Sequence, residues 1–86
     1  MLHGCSGLAS TTDPFPLYRD WRDILVEERY VVLMVDSATS RGFGQTCTSG
    51  EARQRMWAER PSDAYAALAY LQQQSFVRFD RIGLMG

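Results

Sequence analysis

The chain has 86 residues, nine of them Arg and none Lys, with ten acidic residues and a formal net charge of −1. That length allows one domain over residues 1–86, and an apolar share of 45% with 12% aromatics excludes a disordered chain. The arginines are scattered among the acids, the pattern of a solvated, paired surface rather than a phosphate-binding patch, and no apolar run approaches the roughly 18–20 residues of a membrane span, so neither nucleic acid nor membrane is expected as a partner.

Met1–His3 is too short for a strand of its own and reads as the end of one. The opening residues lack the charged and apolar regions of a signal peptide, which leaves the cellular location open. Gly4-Cys5-Ser6-Gly7 is a tight polar loop in which glycine permits positive φ and close backbone approach. Residues 9–14 are turn and cap chemistry, and Pro14 and Pro16 suit the first turn of a helix. That helix is predicted from Pro16 to Glu28. Leu17, Trp21, Ile24 and Leu25 form its apolar stripe, opposite Arg19, Asp20, Arg22, Asp23 and Glu27.

Tyr30–Val35 is continuously apolar and β-branched, the pattern of a parallel strand buried on both faces. Asp36-Ser37 ends it. Residues 37–60 are irregular, with a loop at Ser40–Gly44 and a short polar helix over Gly50–Glu59 that carries Met56 and Trp57. Pro61 interrupts that helix. Ser62 then caps a second main helix, Asp63–Gln74, with Ala64, Ala67, Leu68 and Leu71 as its stripe. Phe76, Val77 and Phe79 lead through Asp80-Arg81 into a final strand, Ile82–Met85. The order strand, helix, strand, loop, helix, strand predicts an α/β fold with parallel strands and right-handed crossover helices.

Few residues carry chemistry. His3 is the single histidine, and it reads as a loop-structuring residue bonded to backbone rather than a general base. Asp36 reads as a loop hydrogen-bonding residue at a strand end. Cys5 and Cys47 fit neither a zinc spacing nor a CxxC motif, and are either two free thiols or one disulfide. His3, Cys5 and Cys47 have the wrong number and spacing for a zinc site, so no metal is expected. The Arg41–Gly44 loop contains no phosphate-binding glycine pattern, which removes the main support for a nucleotide-binding half-domain.

His3-Gly4-Cys5-Ser6-Gly7-Leu8, Val35-Asp36-Ser37, Arg41-Gly42-Phe43, residues 63–71 and Arg81-Ile82-Gly83-Leu84-Met85-Gly86, in that order and spacing, resemble the dienelactone hydrolase group of α/β-hydrolases over nearly the whole chain. The resemblance implies a partial α/β-hydrolase fold, an incomplete three-layer sandwich. It implies an ester- or lactone-hydrolysing parent that works through an acyl-enzyme without a cofactor. His3 and Gly4 then belong to the oxyanion loop, and the backbone N–H of Cys5 donates to the developing oxyanion. Gly86 becomes the first glycine of the nucleophile elbow. The Ser or Cys nucleophile is expected two residues beyond it, and the acid and histidine further on, so none of the triad lies in these 86 residues.

If relatives of this type are exported, Cys47 pairs with Cys5. The chain departs from the family pattern at Arg29, where glycine is usual, and at Ala38 and Ser40, where Phe and Pro are usual; the second departure affects substrate preference. The competing expectation is a non-catalytic module. Three parallel strands with two helices leave sheet uncovered, and such a module needs a partner or self-association.

Overall fold

The computed structural model describes residues 1–9 and 13–86. Two helices dominate it, α1 at Pro16–Glu27 and α2 at Gly50–Gln72, with a 3₁₀ turn at Thr39–Arg41 between them. The turn-and-cap reading of residues 10–12 lies outside the described residues.

Helix α1 starts where its prolines place it. Pro16 sits in the first turn, and the Phe15 carbonyl accepts the Tyr18 and Arg19 N–H groups at 3.0 and 3.1 Å. Its end is a Schellman motif: the Tyr30 N–H reaches the Leu25 carbonyl and the Arg29 N–H the Val26 carbonyl, each at 2.9 Å. Arg29 holds the left-handed position, φ 68°, that this motif requires. Helix α1 buries none of its residues, and Leu17, Ile24 and Val26 are each at least half exposed.

The expected parallel α/β sheet is not formed, and the partial α/β-hydrolase sandwich is not the architecture of this chain. Among the described residues there is no strand. The three apolar segments touch, but the bridge between them is an isolated parallel one, Leu2 to Val35, and no ladder forms. Around it the Met1 N–H donates to Leu33 O at 2.7 Å, Val35 N–H to Met1 O at 3.0 Å and Leu2 N–H to Met85 O at 2.8 Å. The physical reason is the length of the middle segment. A ladder needs successive bonded pairs, and Met1–His3 offers one pair to Val35 and one bond to Met85. Tyr30 and Val31 lie outside its reach and stay 63% and 53% exposed, so the burial on both faces that the apolar run predicted does not occur.

The predicted break at Pro61 is also absent. Helix α2 runs through it for 23 residues, capped by Ser49, whose Oγ accepts the Ala52 N–H at 3.3 Å. Ser62 therefore lies inside the helix and caps nothing. Proline removes one intrahelical bond, the one the Trp57 carbonyl would accept. The offsetting feature is a clamp across the defect. Arg41 makes a bidentate pair with Asp63, Nη1–Oδ2 2.8 Å and Nη2–Oδ1 2.7 Å, and pairs also with Glu59. Glu59 and Asp63 stand either side of Pro61 on one helical face, so one guanidinium ties both halves of α2 to the 3₁₀ turn.

The apolar stripe of α2 does not close on the extended segments. An open cleft of about 620 Å³ separates them, lined by Leu2, Leu33, Val35, Ala64, Leu68 and Leu84 among others. The buried apolar residues among those described are Ala38, Ala52 and Met56. The accessible surface is 6289 Å² for a 9.8 kDa chain, where a folded monomer of that mass exposes about 5,200 Å². The radius of gyration, 13.5 Å, likewise exceeds the value of about 12 Å for a compact domain of this length.

Candidate functional site

The most highly connected region is the turn after His3. The His3 ring is 2% exposed and sits between two backbone groups. Its Nε2 lies 3.0 Å from the Ser37 nitrogen, and its Nδ1 2.7 Å from the Gly4 carbonyl oxygen. A backbone N–H only donates and a carbonyl only accepts. Nε2 is therefore the acceptor and Nδ1 carries the proton, so the imidazole is neutral with both nitrogens committed. The Asp36 carboxylate, 3.7 Å from Nε2, is accordingly a neighbour and not an ion-pair partner.

Asp36 accepts the Ala38 and Thr39 N–H groups through Oδ1, each at 3.0 Å, and so starts the 3₁₀ turn. Partial burial pushes its carboxyl up. Hydrogen bonds from Thr39 and from the Ala38 N–H outweigh that and hold it below the ordinary carboxylate value.

Gly4–Gly7 folds as a tight turn, with Gly7 N–H donating to Gly4 O at 3.2 Å. The Gly4 N–H donates to the Tyr18 hydroxyl of α1 at 2.7 Å, and the Arg60 guanidinium of α2 donates to the His3 carbonyl. Gly7 holds φ 85°, and a Cβ there would meet Gly44 O at 2.8 Å, so both conformation and space demand glycine.

Cys5 is fixed twice. Its sulfur is bonded to Cys47, Cα to Cα 4.9 Å, which settles the alternative left open by the spacing. Its carbonyl accepts the N–H of buried Thr46 at 2.7 Å. Its own N–H has no acceptor among the described residues, and the residue is exposed. The loop on the other side of the disulfide is held as firmly. Arg53 reaches the Thr46 and Cys47 carbonyls, and Gln45 Oε1 accepts the Cys47 N–H at 2.7 Å.

The structure thus brings His3, Gly4 and Cys5 together. Gly86 packs beside Leu2, the residue before His3: a Cβ at Gly86 would stand 3.8 Å from Leu2 O. Sequence reading missed Tyr18, Thr46 and Arg60 as supports of this region. Each acts across 14 or more residues of chain, and no local pattern carries that information.

Among the described residues no group of three or more His, Cys, Asp or Glu side chains is placed to hold a metal ion, and no helix is long and apolar enough to cross a membrane. No protein-family model matches the chain, and no curated protein or solved structure matches it either.

Proposed function

We propose that the chain supplies the oxyanion-binding turn of an ester or lactone hydrolase of the dienelactone hydrolase kind, with Cys5 as the backbone donor. The observation that carries this is the Cys5 peptide. Its sulfur and carbonyl are tied down, while the residue is exposed and its N–H has no acceptor among the described residues. A donor held in place before charge develops stabilises a tetrahedral intermediate without reorganisation, and removing such a donor typically costs about 10²–10³ in rate.

In this reading the carbonyl oxygen of the ester sits at the Cys5 N–H, and the bond shortens as attack places negative charge on that oxygen. His3 acts on the turn and not on the substrate, because both ring nitrogens are committed to backbone. The nucleophile, acid and general base then come from outside these 86 residues. Methylphosphonate, a tetrahedral anion, tests this in solution. The ¹⁵N–¹H signal of Cys5 should shift saturably on titration, and the purified chain should show no saturable hydrolysis of a small aryl ester. An unmoved Cys5 amide, or saturable turnover lost in Cys5→Ala, would overturn the assignment.

A second reading is favoured by the surface. The chain exposes about 1,100 Å² more than a folded monomer of its mass, comparable to the ~800 Å² that one partner contributes to an ordinary interface. Trp57, Tyr65, Phe76, Phe79 and Leu84 are all more than 60% exposed. This reading is a non-catalytic module that functions by association. Sedimentation should show a concentration-dependent rise in mass, and a monomer at every concentration would remove this reading.

A further inference from the structure

The Cys5–Cys47 disulfide joins two unlike sulfurs. Cys5 lies on an exposed turn, whereas Cys47 is half-buried. The Ser6 hydroxyl lies 3.7 Å from Cys47 Sγ. A disulfide sulfur has no proton to give, so Ser6 is the donor in that contact. The Arg53 guanidinium reaches the Cys47 carbonyl. A hydroxyl donor favours negative charge on a sulfur, and among the described residues no hydrogen bond reaches Cys5 Sγ. Thiol–disulfide exchange is directed by access to the attacked sulfur and by the stability of the thiolate that leaves. At this bond the two criteria agree.

We propose that Cys5 is an S-thiolation site, at which a small-molecule thiol enters and forms a mixed disulfide. The incoming thiol loses its proton to solvent, and its thiolate attacks Cys5 Sγ on the side away from Cys47. A new S–S bond forms to Cys5 as the Cys5–Cys47 bond breaks. The electron pair of the broken bond leaves on Cys47 Sγ, where the Ser6 O–H receives it. One disulfide is exchanged for another, with no net oxidation or reduction. A second equivalent of the thiol then releases Cys5 as a free thiol and departs as its own disulfide. Thiolation severs the covalent tie between the Gly4–Gly7 turn and the loop that caps α2, and leaves a bulky group beside the Cys5 N–H. The inference stands on the disulfide and its neighbours, and does not depend on the hydrolase reading.

The test uses the intact chain and reduced glutathione at limited conversion. The reaction is quenched with acid, free thiols are alkylated, and the tryptic peptides are mapped by mass spectrometry. Cys5 falls in the peptide of residues 1–19 and Cys47 in that of residues 42–53, so the two are separable. The glutathione adduct should fall on residues 1–19 and the alkyl label on residues 42–53. The excess over the reverse pattern should be roughly tenfold, as one charge-assisted hydrogen bond to the leaving sulfur implies. An even split, a reverse preference, or a disulfide inert to glutathione would overturn the proposal. Ser6→Ala separates the leaving-group effect from access. The excess should fall several-fold while the melting temperature stays within a degree or two; an unchanged excess in this variant would also overturn it.

Discussion

At the scale of single residues, the turn after His3 shows how a side chain with familiar catalytic chemistry becomes structural. The His3 ring is buried and answers one backbone donor and one backbone acceptor, so its lone pair is not available to a substrate. His3→Ala leaves the Ser37 N–H unpaired beside a void the size of an imidazole. The expected loss is about 2–4 kcal/mol in chemical denaturation, with hydrogen exchange at Ser37 accelerated before that at the α2 amides. Arg29 is the opposite case, a residue whose conformation is costly where it stands. At φ 68° its Cβ crowds the backbone, and glycine removes that strain at the expense of a more flexible unfolded chain. Arg29→Gly is expected to raise stability by about 0.5–1 kcal/mol, measured as a higher melting temperature with α1 helicity unchanged.

At the scale of elements, the continuity of α2 depends on electrostatics more than on propensity. Arg41 holds the Asp63 carboxyl below its ordinary range through two hydrogen bonds, against partial desolvation, and Ser37 and Arg60 add to the effect. Arg55 and then Arg41 hold Glu59 down in the same way. The folded values are depressed, so the folded state binds fewer protons than the unfolded chain in the acid range. The clamp therefore stabilises the fold above the ordinary carboxylate value of about 4 and loses that contribution as pH falls through the depressed values. Asp63→Asn should lower stability at neutral pH and flatten the acid limb of the stability curve. The helical signal lost should come from residues near Pro61, where one intrahelical bond is already missing. An acid limb as steep as in the parent chain would show that the clamp does not bridge the defect.

At the scale of the whole molecule, a small core is supplemented by a covalent tie. Three buried apolar side chains among the described residues hold little against chain entropy. The disulfide closes a loop with a sequence separation of 42, for which loop-closure entropy alone corresponds to about 4 kcal/mol. Replacing both cysteines with serine should therefore remove most of the cooperative unfolding transition. The Gly4–Gly7 turn should loosen first, read as faster exchange at Thr46, whose N–H is bonded to the Cys5 carbonyl. A double variant that melts within a few degrees of the parent would mean that the hydrogen bonds of Thr46 and Arg53 suffice to hold the two loops.

The sequence determined the local events of this chain: α1 begins at Pro16 and is followed by an apolar segment, because proline geometry and β-branching act over a few residues, whereas the left-handed turn at Arg29 came only with the structure. The same kind of reasoning made Asp36 a hydrogen-bonding loop residue and His3 a loop-structuring one bonded to backbone. It overreached at Tyr30–Val35, where apolar content predicted a buried strand. Burial depends on a neighbour long enough to pair with, and Met1–His3 is not. It also overreached at Pro61, where the rule for an isolated helix was overridden by Arg41, which stands 18 and 22 positions before its partners Glu59 and Asp63. The pairing of Cys5 with Cys47 and the supports given by Tyr18, Thr46 and Arg60 belong to the same class. They join residues 14 to 57 positions apart, and chain distance of that kind is resolved only when the tertiary structure decides which surfaces meet.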